Sequence, residues 1–567
     1  MKEKKIVPII LITLGLALGS TAAARKVYPY RWVRIGADLR TDQGLEKVRS
    51  VVETAAQHGL NGILLSAGLD SMDLQPPDFL RRLQQLKQYC DARHVDIVPC
   101  IMSAGYGDEV LQHDKNLAAG LPVKDALYIV SQGEARLAPD PGVEIVNGGF
   151  EKHVGNSIDG FTATGGEADS ITIDEHVFKE GRASALYRHF DPDAEKPIAV
   201  SQDVALLPHR CYRLSCWIRS ENLKPSGPFG SGSFQLEVLG GQDRRPLQFE
   251  NPRLSPTQDW AQVSVAFNSW GYDKVRIVAS VGGGGQGQFW LDELRLEEVG
   301  LINVLRRPGT PLTVRGEKSG IVYEEGKDFA PVADPVMDFH FNHDGPAIKL
   351  LPGSRITDGE RLRVSFYHGV FIYNDQVPLC MSEPKLYEIW RKQARLIHEA
   401  ITPRQYLLSM DELRAGGSCE TCKKRGMSMG QILGDTLTRQ FNILREANPK
   451  AEIFVWSDML DPNHNADPMA KWYYLTEGTF TDSWKFIPKG MNIVCWYYEK
   501  RVPSLRHFSR LGFRTMAGAY YDADDLENPK GWLQALDATP NAEGILYTTW
   551  LDKYKLLAPF GDLVSGK

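Results

Sequence analysis

The chain has 567 residues, 43% of them apolar and 24% charged, with a net charge of −6. That length exceeds one ordinary domain, and the composition sets aside disordered and fibrous classes. The charge balance gives no sign of nucleic acid as a partner, which usually shows as a basic patch or stripe.

At the N-terminus, Lys2, Lys4 and Lys5 precede an apolar run over residues 6–19, and Ala22-Ala23-Ala24 follows. This is the pattern of a cleaved secretory signal over residues 1–24. The run is short of the roughly 20 residues that a membrane span needs. The expectation is a secreted or periplasmic protein with no stable span after cleavage. Export permits disulfides. Cys419 and Cys422, in a Gly-rich loop, are expected to form a local one, with free thiols as the alternative. A structural zinc site would need ligands that no second Cys-x-x-Cys supplies.

Residues 32–39, 61–66 and 96–102 read as strands, separated by helical patterns over 44–58 and 77–93. Alternation at this spacing predicts parallel strands with crossover helices. The first strand ends on Asp38 and Arg40, and the third runs into Ser103-Ala-Gly-Tyr106.

From about 142 to 299 the helical pattern stops. Short alternating strands at 202–206, 212–218, 233–238, 261–267, 274–280 and 288–296, separated by Gly- and Pro-rich turns, predict an all-β sandwich. Its opening Asn147-Gly148-Gly149-Phe150-Glu151 and closing Trp290-Leu-Asp292-Glu293 resemble galactose-binding-like, jelly-roll carbohydrate-binding modules. Trp217, Trp260 and Trp290 read first as core and second as sugar platforms.

Residues 300–358 form a β-rich connector. The β/α pattern then resumes, with strands at 362–367, 405–410, 452–457, 492–497, 514–520 and 544–550, and helices clearest at 384–400 and 429–447. The organisation expected is an α/β, (β/α)8 TIM-like barrel in two parts, 25–140 and 359–567. It is interrupted by the inserted β domain at 141–299 and the connector. Nine strand candidates exist where such a barrel takes eight, so one lies outside it.

Active sites of α/β barrels lie at the C-terminal ends of the strands. Here those ends carry Asp38 and Arg40, His368, Asp411-Glu412, Trp456 and Asp458, Trp496 and Tyr498, Tyr520, and Trp550 and Asp552. Acids are depleted from strands, and unpaired buried charge is costly. Adjacent acids ending the apolar run Gln405-Tyr-Leu-Leu-Ser-Met are therefore a strong signal. Aromatic walls with several carboxylates suit a pyranose, whose apolar face stacks on rings and whose hydroxyls donate to carboxylates.

Glycoside cleavage needs an acid for the leaving oxygen and stabilisation of an oxocarbenium-like centre. Neighbouring residues cannot easily flank a sugar from opposite faces, but they can act as helper and acid on one side. Asp411-Glu412 at a barrel strand end resembles glycoside hydrolase family 20, the β-N-acetylhexosaminidases. The resemblance implies a retaining, substrate-assisted reaction through an oxazoline, without a metal or cofactor, on a glycan ending in β-linked N-acetylgalactosamine or N-acetylglucosamine. It implies that Asp411 orients the acetamido group and that Glu412 is acid, then base. Trp456, Trp496 and Trp550 would line the acetamido pocket, Tyr498 or Tyr520 would donate to its oxygen, and Arg40 would grip hydroxyls. The family's His-x-Gly-Gly before Asp-Glu is replaced by Leu407-Leu-Ser-Met. Four strand candidates precede the pair, where the family has three.

Three other readings stay open. One is a two-carboxylate retaining glycosidase with Glu412 as acid and Glu499 as nucleophile. Another is a non-catalytic glycan-binding protein. The third is a structural acid cluster in which the pair is matched by Arg414.

Overall fold

The computed structural model describes residues 26–567 except 141, 168, 191–196, 225–233, 243–244, 253, 283–285, 373–375 and 468–474. The expected signal segment lies outside the described residues. No helix among them is long and apolar enough to cross a membrane.

Eight parallel strands close into a barrel: β1 (Tyr30–Gly36), β2 (Gly62–Ser66), β3 (Asp96–Ile101), β4 (Gln405–Leu408), β5 (Glu452–Trp456), β6 (Met491–Cys495), β7 (Arg514–Tyr520) and β8 (Ala542–Thr548). Pairing of β1 with β8, Tyr30 opposite Gly544, completes the ring. Helices α1 (Asp42–Gln57), α2 (Pro77–Asp91), α3 (Pro384–Ile401), α4 (Met429–Ala447), α5 (Arg501–Arg510), α6 (Glu527–Asp537) and α7 (Leu557–Ser565) lie between or after the strands. Among the described residues no α-helix lies between β5 and β6, only two short 3-10 turns and the two-residue strand Leu475–Thr476.

Helix starts follow local chemistry. The Thr41 hydroxyl accepts from Gly44 N at the start of α1. Ser428 and Gln431 form a reciprocal capping box at α4. The helices bury apolar stripes such as Leu45, Val48 and Val52 of α1 against the outward side chains of the strands.

The ninth strand candidate, residues 362–367, does form a strand, Arg361–His368, but outside the barrel. It pairs antiparallel with Leu121–Ser131 and Thr313–Gly316 in a six-stranded sheet that also takes in part of the connector. Its alternating burial is that of a half-covered antiparallel strand. Only three barrel strands therefore precede the strand that ends in Asp411-Glu412. Residues 121–137, placed with the barrel on sequence, belong to this same sheet.

The inserted segment makes two five-stranded antiparallel sheets. Its opening motif packs on its closing strand: Leu294 N donates to Gly148 O, and a side chain at Gly148 would strike the Leu294 carbonyl at 2.0 Å. Trp290 is buried, with its indole N–H on Asp174, as the core reading of that residue expects.

Candidate active site

Side chains alternate across a strand, and in the barrel this sorts them into three inward layers. Tyr30, Gln405, Glu452 and Arg514 are linked by hydrogen bonds at the N-terminal end, with Tyr30 Oη donating to Glu452 at 2.8 Å. Trp32, Leu64, Val98, Leu407, Phe454, Val494, Met516 and Leu546 fill the middle as a dry plug. Two positions further along each strand the inward residues turn polar or aromatic: Arg34, Ser66, Cys100, Ser409, Trp456 and Trp496. Gly518 makes room among them, since a Cβ there would meet Trp496 at 3.1 Å and Trp456 at 3.3 Å.

The same alternation carries Ser409 and then Asp411 inward above Leu407. Asp411 is almost fully buried, with one carboxylate oxygen accepting from Ser409 Oγ at 3.0 Å. Burial pushes its carboxyl well above the usual Asp range, and the nearby Asp458 and Glu412 charges add to this. Asp458, fully buried, is shifted the same way, chiefly by desolvation. It joins three strand ends: one oxygen accepts from Glu412 N at 2.9 Å and from Asn465 Nδ2 at 2.9 Å, and the other from Trp496 Nε1 at 3.3 Å.

Glu412 adopts φ +51°, a left-handed conformation that a non-glycine residue rarely takes. Its carboxylate pairs with Arg414 at 2.9 Å and accepts from the Tyr106 hydroxyl. Its carbonyl accepts from Gln376 Nε2 at 2.8 Å, and Gln376 Oε1 in turn accepts from Arg414. The loop after β3 presses close here: a Cβ on Gly105 would sit 2.2 Å from Asp411 O. Positive φ recurs at or just after other barrel strand ends, at Met102, Tyr520, Tyr521, Asp522 and Asp552. Such strain persists where surrounding structure over-determines it, and it clusters at functional sites.

Asp411, Glu412, Asp458, Trp456 and Trp496 thus come together. Trp550 joins the rim, 44% exposed, with the Arg34 guanidinium 3.9 Å from its ring. Asp522 holds that loop by accepting from Trp550 N at 2.7 Å and from the Thr549 hydroxyl.

Other expected residues fall elsewhere. His368 is fully buried outside the barrel, against Asn268 of the inserted domain and edge-on to Phe341. The sequence puts it at the mouth only because its strand shares the short apolar pattern of a barrel strand. Tyr498 lies over Arg501 and edge-on to Trp532, on the helical side. Tyr520 turns outward to stack on Tyr547 at 4.0 Å, because its positive φ breaks the alternation. Arg40 and Asp38 pair with each other at the surface, and Asp552 pairs with Lys47 at 2.7 Å. Glu499 is solvent-exposed.

Sequence reasoning passed over Arg34 and Gln376, and gave no role to Tyr521. Arg34 could have been found by counting in twos from Trp32. Tyr521, half-exposed and stacked parallel to Trp496, follows Tyr520 directly. Gln376 comes from a distant loop and leaves no local signal.

The expected disulfide is also corrected. All eight cysteines are free thiols, and Cys419 Sγ and Cys422 Sγ lie 3.6 Å apart, far beyond a bond of about 2.05 Å.

No family model and no curated protein matches the chain. Among solved structures, it is similar to the family 20 chitobiase of Flavobacterium johnsoniae at 8% identity, covering 95% of this chain and 48% of that one, with a TM-score of 0.37. A rhamnosidase from Novosphingobium sp. PP1Y matches at 12% identity over 92% of this chain and 55% of that one, with a TM-score of 0.30. The CBM22-1 xylan-binding domain of Paenibacillus barcinonensis Xyn10C matches at 15% identity over 28% of this chain and 97% of that one, with a TM-score of 0.21. The chain spans about half the length of the two enzymes. At these TM-scores the likenesses carry no functional weight, which rests on the site itself.

Proposed function

We propose that the chain is a retaining glycoside hydrolase that removes terminal β-linked N-acetylhexosamine by substrate-assisted catalysis. The observation that carries this reading is the placement of adjacent Asp411 and Glu412. One is buried inside the mouth, the other is twisted into a left-handed conformation, and Asp458 ties the pair to two further strand ends. With the ninth strand candidate outside the barrel, three barrel strands precede the pair, as in the family it resembles.

In the first step Glu412 gives its proton to the glycosidic oxygen while the substrate's acetamido oxygen attacks the anomeric carbon. The glycosidic bond breaks and an oxazoline forms. Asp411, ionised, accepts from the acetamido N–H and balances its developing charge. In the second step Glu412 takes a proton from water, whose oxygen attacks the anomeric carbon and reopens the ring with retained configuration. Trp456, Trp496 and Trp550 supply apolar walls. Arg34 replaces Arg40 as the hydroxyl-gripping group, and Tyr521 replaces Tyr498 or Tyr520 as donor to the acetamido oxygen. An acid of this kind contributes roughly 10²–10⁴-fold.

The test is a panel of 4-nitrophenyl β-glycosides with and without the 2-acetamido group. Cleavage of the acetamido sugars alone is expected, and cleavage of the plain hexosides alone overturns the proposal. The Glu412–Arg414 pair at 2.9 Å favours one second reading, a glycan-binding barrel without turnover. In that case Glu412→Gln leaves every measurable function intact.

A further inference from the structure

Three thiols that the sugar chemistry does not use converge beside the active-site loops. Cys380 lies in the segment leading to α3, Cys419 caps the short helix Glu420–Lys424, and Cys422 sits within that helix. Their sulfur atoms form a near-equilateral triangle: 3.5 Å between Cys380 and Cys419, and 3.6 Å for each of the other two pairs. All three are buried.

A zinc ion with bonds of about 2.3 Å to tetrahedral sulfur ligands sets those ligands about 3.8 Å apart. The triangle is within a few tenths of an ångström of three corners of that tetrahedron. The surroundings suit it as well. The Arg307 guanidinium, which also pairs with Glu383 at 2.9 Å, interacts electrostatically with Cys380 and Cys419 and so lies within reach of the negative charge of a three-thiolate zinc site. Arg307 Nη2 is buried without a hydrogen-bond partner. A cavity of about 10 Å³, lined by Gly120, Met381, Gly416, Gly417 and Ile432, borders the thiols. It is close to the lower limit for one water. No His, Asp or Glu joins the cluster among the described residues.

We propose that Cys380, Cys419 and Cys422 bind a single zinc ion, with one water at the fourth position. The ion would pin the loop carrying Gln376 to the loop after Glu412. These two loops already meet through the Gln376–Glu412 hydrogen bond. The site stands on its own geometry, independent of the reaction proposed above. Binding as thiolate releases the thiol protons to solvent without any change of oxidation state.

The full-length chain should carry one zinc per molecule by elemental analysis, and should regain it after chelation and dialysis against zinc. Cys380→Ser, Cys419→Ser and Cys422→Ser should each weaken binding by more than the roughly 10–100-fold that loss of an outer-shell partner costs. Cys216→Ser, a buried thiol far from the cluster in sequence, should leave the ratio at one. Should the variants not fold, cobalt substitution of the unaltered chain decides the matter: intense tetrahedral and thiolate-to-cobalt bands support the site, and a pale octahedral spectrum overturns it. Zinc well below one per chain, copper in its place, or a Cys419–Cys422 disulfide in peptide mapping also overturns it.

Discussion

Two acid–arginine pairs end barrel strands in this molecule, and they behave in opposite ways. Asp38 and Arg40 follow β1, and Glu412 and Arg414 follow β4, each with one residue between. The first pair is largely exposed, at 46% and 62%, whereas the second keeps only 23% and 7%. An exposed pair is screened and contributes little. The second is held by Tyr106, Gln376 and the backbone tie to Asp458, so breaking it leaves buried partners unmatched. Residue type at a strand end therefore does not define this site. What defines it is which side of the barrel wall the strand's alternation selects, and whether neighbouring loops close over the residue.

Glu412→Gln should have the largest effect, lowering kcat by roughly 10²–10⁴-fold and, because it removes the charge paired with the buried Arg414, lowering the melting temperature as well, as read by steady-state kinetics beside calorimetry. Asp458→Ala removes the acceptor for three donors, at about 1–3 kcal/mol for each donor left unsatisfied. It should lower both the denaturation midpoint and activity. Gly105→Ala pushes a methyl into the Asp411 carbonyl. It should cost about 1–3 kcal/mol by chemical denaturation, and more in activity than in stability if the pair's position matters. Arg34→Ala should cost about tenfold in kcat/KM, about 1.4 kcal/mol, while Arg40→Ala leaves both kinetics and melting unchanged. Equal effects at the two arginines would erase the distinction between a strand-end residue carried inward and one left at the surface.

The pH dependence sharpens the same contrast. Asp411 and Asp458 have raised folded-state values. Their contribution to stability is therefore complete below the ordinary Asp range and is lost as pH climbs through the raised values towards neutrality. Asp411→Asn should stabilise the protein at about pH 8 and do little at about pH 4. Because the Asp458 charge helps to raise Asp411, Asp458→Asn should move the acid limb of kcat/KM to lower pH.

Much of this was legible in the sequence. Apolar runs at regular spacing marked all eight barrel strands, and the Asn147-Gly-Gly-Phe-Glu stretch marked the inserted β domain. The strand at 361–368 misled because a half-buried antiparallel strand and a barrel strand share a short apolar pattern, and only pairing partners separate them. His368 was misplaced with it. Tyr520 was misassigned because three successive positive-φ residues, Tyr520 to Asp522, reverse the side-chain order, which periodicity cannot foresee. Asp411, by contrast, obeys the alternation set by Leu407 and Ser409, so its inward placement follows from the strand pattern. Cys380 lies nearly 40 residues from Cys419 in sequence, so the thiol triangle appears only when the loops fold together.

Asp411 and Glu412 are proposed to work on one side of an acetamido sugar whose own carbonyl is the nucleophile. Inhibition by a sugar thiazoline, a stable mimic of the oxazoline, tests it most directly. Competitive inhibition is expected, with Ki well below the substrate KM, weakened strongly by Asp411→Asn and hardly at all by Arg40→Ala. An active enzyme that the thiazoline does not inhibit would contradict it.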